Sequence, residues 1–354
     1  MNLLLLLNKR LLKPVIQVFL FANILFFVSC SDDTITPAGY QFDTPRFDWT
    51  ADTVFADISN IWAYDTNNIY YLDPFKLVYY NGTIYQNYDY SSNILANSID
   101  GYDKYNVFIG GLDRTPSNLY KPKVIKWNGA GFEDFYIGDT AYSSNDILSI
   151  KAISQNEIFM GTRKGRVYKY DNGITQSYYF DTNMIIGPFL KDSFNNLYFF
   201  GSILYFNFPN PDSSKDFIYR YNNNQWENVY YKLIISNDTS YSVNNIGTDI
   251  VGMTRNSLLV FNGSSFNRFL FSEFLLMGSI SGFSLSNILC SGTLDGHNLD
   301  LFHWNNSKWS KENIKATFDQ YIPQGGIFAV NNRFYCALYD FLGRRSLIIK
   351  GKPK

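Results

Sequence analysis

After residue 43 the chain alternates short apolar strands with polar turns, and one phrase of this kind recurs. The phrase is an apolar strand, an Asn-Gly or Asn-Asn turn and an aromatic strand. In five copies an aromatic residue directly precedes the turn asparagine and another follows it by four residues. These copies are Leu77–Tyr85, Val124–Phe132, Ile218–Trp226, Leu258–Phe266 and Leu301–Trp309. Because Asn and Gly tolerate positive φ, the phrase predicts a β-hairpin whose two aromatic side chains stand opposite each other.

Two less complete copies extend the series. Val167–Gly173 lacks the second aromatic residue, and Ser346–Gly351 lies near the carboxyl end of the sequence. The turn positions 81, 128, 171, 222, 262, 305 and 350 are on average about 45 residues apart. A regular period of this length predicts a repeat architecture.

A second pattern lies upstream of the hairpins, where a polar residue is followed by an apolar strand that ends near a glycine. Its copies are Asn106–Gly110, Glu157–Gly161, Asn196–Gly201 and Asn287–Gly292. Another short strand comes before it, as in Ile147–Ala152. Four short strands per period are typical of a propeller blade, and no long segment shows a helical period. The sequence therefore predicts an all-β fold, a seven-bladed β-propeller of four-stranded blades.

The last unit is one strand short. It contains the strands Gly326–Val330, Arg333–Ala337 and Ser346–Lys350. Arg46–Thr50 precedes the first inner strand and is placed to supply the missing outer strand, which removes an exposed sheet edge. We therefore predict one closed propeller over residues 43–354, with its last blade completed by an N-terminal strand.

The first 29 residues are typical of a secretory signal peptide. They carry Lys9, Arg10 and Lys13 and no acidic residue, and they contain the apolar run Pro14–Val28. This run is shorter than the roughly 20 residues that a membrane-spanning helix needs. We predict that residues 1–29 direct export and are removed, and that residues 30–42 form a tether.

Phe27–Cys30 ends this segment and resembles the lipobox of bacterial lipoproteins. The resemblance implies a diacylglycerol on the Cys30 thiol, with palmitate among the acyl chains, and attachment to the membrane through this lipid. Ser31–Asp33 resembles the acidic tag that sends some Gram-negative lipoproteins to the outer cell surface. The whole chain is similar to bacterial surface lipoproteins with divergent propeller repeats, which implies an outer-membrane location, surface-exposed or facing the periplasm. A plain amino-terminal membrane anchor is the alternative interpretation.

Composition narrows the range of partners. The chain has 18% aromatic residues, a bias that favours strands. Its 30 Lys and Arg nearly balance 31 Asp and Glu, and without residues 1–29 the balance is 27 to 31, a net charge of −4. We therefore expect no nucleic-acid partner and no electrostatic attraction to acidic lipid. Cys290 and Cys336 are predicted to be buried thiols on neighbouring blades, too far apart for a disulfide.

Longer insertions fall in the loops that join second and third strands, at 111–123, 202–216, 292–298 and 339–345. In a propeller these loops share one face with the loops that enter the inner strands. Length variation on one face is typical of a single working surface, although drift in unconstrained loops gives the same pattern. The candidate ligand-binding residues on this face are Arg114, Arg163, Lys164, Arg255, Asp295, His297, Arg344 and Arg345. Each of them is alternatively a solvated loop charge.

Four polar residues lie two positions before a turn, on third strands. They are Lys126, Lys169, Arg220 and His303. Alternation along a strand predicts that they face solvent.

Motifs of common catalytic or metal sites are missing from the sequence. The two histidines, His297 and His303, make a weak case for a zinc site, and no phosphate loop or nucleophile elbow occurs. We therefore predict a non-enzymatic binding module for a protein or carbohydrate ligand, without cofactor, metal or catalytic residues. Two alternatives stay open: a propeller glycoside hydrolase or lyase with its site in the central funnel, and a structural subunit of a surface complex.

Overall fold

The computed structural model describes residues 42–90, 93–114, 121–138, 145–207, 210–235, 242–272, 274–294, 300–312, 314, 321–322, 326–340 and 345–354. All regular elements in these ranges are β-strands, and the same ranges contain no helix with the length and apolar character to cross a membrane. The strands form seven antiparallel sheets, which are the seven predicted blades. The predicted signal peptide 1–29 and the tether from Cys30 to residue 41 lie outside the described residues.

Strand β1 (Phe47–Val54) precedes the blades, and in blades 1 to 6 the strands follow one another from the centre outwards. Blade 1 contains β2 (Asn60–Asp65), β3 (Asn68–Leu72), β4 (Lys76–Tyr80) and β5 (Tyr85–Asp89). Blade 2 contains β6 (Ile94–Asp103), β7 (Asn106–Asp113), β8 (Lys121–Trp127) and β9 (Phe132–Ile137). Blade 3 contains β10 (Ile147–Ala152), β11 (Glu157–Thr162), β12 (Arg166–Asp171) and β13 (Ile174–Tyr179).

The remaining blades repeat this order. Blade 4 contains β14 (Met184–Lys191), β15 (Leu197–Asn207), β16 (Asn210–Asn222) and β17 (Gln225–Ile235). Blade 5 contains β18 (Ser242–Ile246), β19 (Asp249–Met253), β20 (Ser257–Phe261) and β21 (Phe266–Phe271). Blade 6 contains β22 (Leu275–Ser284), β23 (Asn287–Thr293), β24 (Asp300–Trp304) and β25 (Trp309–Lys311). Blade 7 contains β27 (Ile327–Val330), β28 (Arg333–Asp340), β29 (Arg345–Pro353) and β1, and the short β26 (Tyr321–Ile322) also pairs with β28.

The blades close into a ring through their inner strands. Each inner strand packs against the next, from β2 through β6, β10, β14, β18 and β22 to β27, and β27 packs against β2. Side chains reach across between blades: Asp100 of β6 accepts a hydrogen bond from the backbone N–H of Ala152 on β10, at 2.8 Å. Such bonds satisfy inner-strand backbone groups that have no ladder partner in the neighbouring blade.

The seam of the ring is closed by β1, as the sequence predicts. This strand pairs antiparallel with β29, from Phe47 opposite Pro353 to Val54 opposite Ser346. The seventh turn expected at Lys350 and Gly351 is wrong, because both residues lie within β29. In the other blades this turn connects the third strand to the outer strand that follows it in sequence. In blade 7 the outer strand is β1, which comes before blade 1 in sequence, so no turn is needed after β29.

The predicted pairing of hairpin aromatics is confirmed in all five complete copies, where the two residues are register partners. The pairs and their ring-centroid separations are Tyr80–Tyr85 (4.7 Å), Trp127–Phe132 (5.1 Å), Tyr221–Trp226 (4.9 Å), Phe261–Phe266 (5.3 Å) and Trp304–Trp309 (5.6 Å). The second aromatic of each pair packs into the hydrophobic cluster shared with the preceding blade. The repeated phrase therefore builds the contacts between blades.

The turn asparagine closes four of these hairpins through its side chain. Its Oδ1 accepts hydrogen bonds from the backbone N–H groups two and three residues later. The four asparagines are Asn81, Asn128, Asn262 and Asn305. The next residue has positive φ in each case, with 92° at Gly129 and 72° at Asn306 as examples, which explains the Asn-Gly and Asn-Asn pairs.

The residues predicted to face solvent on third strands lie largely between blades. The side chains of Lys126 and Lys169 are only 15% and 12% exposed, and His303 is buried. Arg220, at 38%, is partly exposed. The prediction is wrong because neighbouring blades cover both faces of a third strand, so that alternation there produces no solvent face.

The insertion expected as a loop at 202–216 is a strand extension instead. β15 and β16 pair almost to their connection, and β16 pairs with β17 from Ser213 onwards. Between Ser213 and Asp216 the pairing on both sides of β16 satisfies the backbone groups of a polar segment, which hydropathy alone does not reveal. The other insertions are shorter than expected, because strands extend into them and leave 114–120, 294–299 and 341–344 between second and third strands.

Cys290 on β23 and Cys336 on β28 are both free and buried, as predicted. Burial raises the pKa of both thiols, that of Cys336 to about 12. Both residues therefore act as core side chains rather than nucleophiles at neutral pH.

Candidate functional site

The loops at one end of the blades form the surface that the sequence predicts to be functional. This surface, the loop face, carries the second-to-third loops and the loops that enter the inner strands. The two kinds of loop touch: the backbone N–H of Arg114 donates to the carbonyl of Asn93 at 2.6 Å, and that of Leu276 donates to the carbonyl of Arg255 at 2.7 Å. The opposite surface, the turn face, carries the inner-to-second and third-to-outer turns.

Three of the predicted cations are exposed on the loop face. Arg114 lies in blade 2, Lys164 in blade 3 and Arg255 in blade 5. Across the ranges that the structure describes, no carboxylate forms an ion pair with any of these three side chains. The arrangement therefore places positive charge on three blades of one face, available to an acidic ligand.

The fourth predicted cation, Arg163, is exposed on the same face and forms an ion pair. Its guanidinium forms two hydrogen bonds to the carboxylate of Asp146, at 2.9 and 3.0 Å, and this contact raises the pKa of Arg163. The same carboxylate accepts a hydrogen bond from the side chain of Asn97 on β6, at 2.9 Å. Arg163 therefore connects blade 3 to the loop that enters it, and its side chain is still 46% exposed.

The other predicted site residues are placed as follows. Arg345 is the first residue of β29, opposite Asp340, and is half-buried at the loop-face end of blade 7. Asp295, His297 and Arg344 lie outside the described residues.

Two exposed phenylalanines on the loop face were missed by the sequence analysis. Phe55 is 75% exposed in the loop between β1 and β2, and Phe75 is 60% exposed in the loop between β3 and β4. The carboxylate of Asp73 holds both loops, because it accepts the backbone N–H groups of Asp57 and Phe75 at 2.8 and 2.9 Å. Because 18% of the residues are aromatic, the sequence around Phe55 and Phe75 does not distinguish these side chains from aromatic core residues.

The pair Asp57 and Asp73 bears on the hydrolase alternative. Burial, reinforced by the neighbouring Asp73, raises the pKa of Asp57. A carboxyl group with a raised pKa is one half of a glycosidase pair. Asp73, however, is buried and committed to two backbone N–H groups, so its position is explained as a loop support.

Polar side chains of the inner strands are also engaged with one another. Asp100 pairs with Lys151 at 3.3 Å, and burial together with nearby Lys151 lowers the pKa of Lys191. His303 lies away from the channel, at the seam between blades 6 and 7, with Nε2 2.8 Å from Oδ1 of Asn287. Among the residues with described positions, no three His, Cys, Asp or Glu side chains are grouped to hold a metal ion.

Comparisons with known proteins find the fold and no sequence family. No protein-family model and no curated protein matches the chain. The structure of YCF48 bound to a D1 peptide has a TM-score of 0.60 and 11% identity, over 88% of this chain and 98% of that one. YCF48 from Cyanidioschyzon merolae gives 0.59 and 10%, over 86% and 98%. BamB from Moraxella catarrhalis gives 0.53 and 11%, over 88% and 100%. At these identities the similarity establishes the propeller fold alone.

Proposed function

We propose that the protein is an exported, lipid-anchored interaction module whose loop face binds a protein partner. The observation that carries this proposal is the combination of two fixed, exposed phenyl rings with three exposed cations on one face of a closed ring, none of which forms an ion pair with a carboxylate of the described residues. Exposed aromatic and arginine side chains are the residue types that dominate binding energy in protein interfaces.

The chemistry of the loop face indicates the kind of segment it binds. Phe55 and Phe75 offer apolar contact, and Arg114, Lys164 and Arg255 offer charge-assisted hydrogen bonds. The matching partner is a protein segment that carries both apolar and acidic side chains. The peptide-bound propeller YCF48 supports a peptide or protein ligand, as one example of this fold in that role.

The anchor part of the proposal rests on the sequence. Phe27–Cys30 supplies the lipobox-like end of an export signal, and Cys30 would carry the lipid. The acidic residues of Ser31–Asp33 support an outer-membrane, surface-exposed location. The tether would then join the membrane to the ring near residue 42.

Partner binding is tested with two loop-face variants of the full-length protein. One combines Phe55→Ala with Phe75→Ala, and the other combines Arg114→Glu, Lys164→Glu and Arg255→Glu. The matched controls are on the turn face: Tyr105→Ala with Phe194→Ala, and Lys104→Glu, Lys308→Glu and Lys352→Glu together. Proteins that co-purify from crosslinked cells are quantified by mass spectrometry.

Both loop-face variants should lose about tenfold or more of the same co-purified protein, since interface anchors of this type carry most of the binding energy. The turn-face controls should retain it. The proposal is overturned if all variants retain the co-purified protein equally. It is also overturned if the loop-face variants lose a bound glycan and no protein partner is found.

Lipidation is tested separately with Cys30→Ala. The variant should be released from washed membranes, and labelling of intact cells with a membrane-impermeant reagent should modify the unaltered protein. Retention of Cys30→Ala in the membrane would favour the plain amino-terminal anchor instead.

A further inference from the structure

Blade 3 departs from the aromatic repeat, and a groove lies beside the departure. In blade 3 the residue opposite Tyr170 is Thr175, at the register position that holds the second aromatic of the pair in five other blades. In those blades the aromatic fills the space toward the preceding blade. The threonine is too small to do so.

A groove of about 410 Å³ lies at this point, between the outer strands of blades 2 and 3. The residues that line it include Phe135 and Tyr136 of β9, Arg166 and Tyr168 of β12, and Thr175 and Ser177 of β13. Its size falls within the roughly 300–1,000 Å³ of small-molecule and side-chain pockets. The groove therefore has room for an aromatic side chain that none of the described residues supplies.

The strand beside the groove is an unprotected sheet edge. β13 is exposed along nearly its whole length, and its sequence, Ile174–Tyr179, contains no charged residue. The other six outer strands, β1, β5, β9, β17, β21 and β25, each contain at least one charged residue within their described ranges. Charges on an edge strand prevent pairing with another chain, so β13 lacks the usual protection.

The charge at the loop-face end of the groove favours an acidic ligand. Arg166, opposite Tyr179 at the end of β13, lies with its guanidinium 5.4 Å from the centre of the Tyr179 ring. In the portion of the chain with described positions, no carboxylate forms an ion pair with Arg166. A carboxylate on the ligand would supply the missing counter-charge.

We propose that β13 and this groove bind an extended strand of a second protein, which inserts one aromatic side chain at the vacant repeat position and sets a carboxylate against Arg166. Side chains of an added strand alternate between faces, so those on the Thr175 side enter the groove. The added strand extends blade 3 to five strands, and its aromatic completes the contact that other blades make for themselves. The surface is separate from the loop face and does not depend on the function proposed for it.

The test uses the complete protein and three synthetic seven-residue peptides. Each peptide has threonine at the odd positions, glutamate at positions 2 and 6, and one aromatic residue at position 4. The aromatic residue is phenylalanine in one peptide, tyrosine in the second and tryptophan in the third. Binding is measured by fluorescence anisotropy, and amide hydrogen exchange reports where the peptide pairs. Thr175→Trp fills the groove with the side chain that the repeat prescribes, and Arg166→Glu reverses its charge. Thr53→Trp, at an exposed position of outer strand β1, is the matched control.

At least one peptide should bind and slow amide exchange in β13. Thr175→Trp should keep the melting temperature of the unaltered protein and weaken binding about tenfold or more, as loss of an anchor pocket does. Arg166→Glu should also weaken binding, and Thr53→Trp should not. The proposal is overturned if no peptide slows amide exchange in β13, or if Thr175→Trp binds the peptides as tightly as the unaltered protein does. It is also overturned if the Thr175→Trp substitution instead abolishes carbohydrate binding by the protein or its self-association.

Discussion

Glu312 is a buried carboxylate at the seam of the ring. Its Oε1 accepts hydrogen bonds from the backbone N–H of Arg46 at 3.1 Å and the hydroxyl of Ser310 at 2.8 Å. Its Oε2 accepts them from the backbone N–H of Phe47 at 3.2 Å and the indole N–H of Trp49 at 3.0 Å. One side chain of blade 6 therefore holds the start of the strand that completes blade 7.

Replacing Glu312 with alanine should lower the free energy of unfolding by about 2–4 kcal/mol, because it leaves several buried donors without an acceptor. The comparison is Glu133→Ala, whose carboxylate is 52% exposed and 3.9 Å from Lys126; surface changes of this kind cost about 0.5 kcal/mol or less. Denaturant titration of both variants measures the difference. Equal stability of the two variants would contradict the proposed role of Glu312.

His303 makes the seam sensitive to acid. Burial, with a smaller contribution from Arg46, lowers its pKa from 6.5 to about 4, and the ring packs edge-on against Phe47 of β1 at 4.9 Å. Because the folded pKa lies below the unfolded one, the unfolded chain binds the proton first as the pH falls. The stabilising effect of the neutral ring is complete above pH 6.5 and is lost between pH 6.5 and about 4.

Replacing His303 with glutamine removes this ionisation and leaves an amide that can still donate toward Asn287. The loss of unfolding free energy between pH 7 and pH 5 should be about 2 kcal/mol smaller in this variant than in the unaltered protein. An unaltered pH profile in His303→Gln would refute the assignment.

The hairpin is the element that the sequence predicts best. Both its aromatic pair and its turn depend on neighbours within about ten residues, so spacing alone indicates which side chains meet. Burial on third strands, by contrast, depends on the next blade, which is why His303 and Lys169 were expected in solvent. The exposed Phe55 and Phe75 were missed for the same reason, since exposure is decided by how distant loops meet.

The hairpin pairs should be energetically coupled. In a double-mutant cycle with Trp127→Leu and Phe132→Leu, we expect a coupling free energy of about 0.5–1.5 kcal/mol from the facing rings. The equivalent cycle at Tyr170 and Thr175, Tyr170→Leu with Thr175→Ala, should show less than about 0.3 kcal/mol, because that pair has a single ring. Unfolding titrations supply both numbers. Equal coupling in the two hairpins would contradict the packing role of the second aromatic.

At the scale of the whole molecule, the blade count and the seam follow from the period of the repeat and from a last unit that lacks one strand. The three-stranded extension of blade 4 does not follow, because its polar residues read as a loop until pairing on both sides is known. The groove beside β13 was signalled by the incomplete repeat at Val167–Gly173, but its volume and lining required the structure. Local rules therefore predict the ring, and its surfaces require long-range contacts.

Removing β1 tests the closure of the ring. A chain that begins at residue 55 should melt more than about 10 °C below one that begins at residue 42, because the pairing with β29 and the contacts of Glu312 are lost. A peptide of residues 42–54, added in excess, should restore part of the difference. Circular dichroism measures both effects, and identical melting of the two chains would contradict a seam closed by β1.

The working surface is tested most directly by photo-crosslinking in the cells that make the protein. A benzophenone amino acid is placed singly at Phe75 and Lys164 on the loop face, and at Phe194 and Lys308 on the turn face. The account predicts that both loop-face positions crosslink to one common protein and that neither turn-face position does. Crosslinks to that protein from the turn face alone, or from all four positions alike, would contradict a loop face that binds the partner.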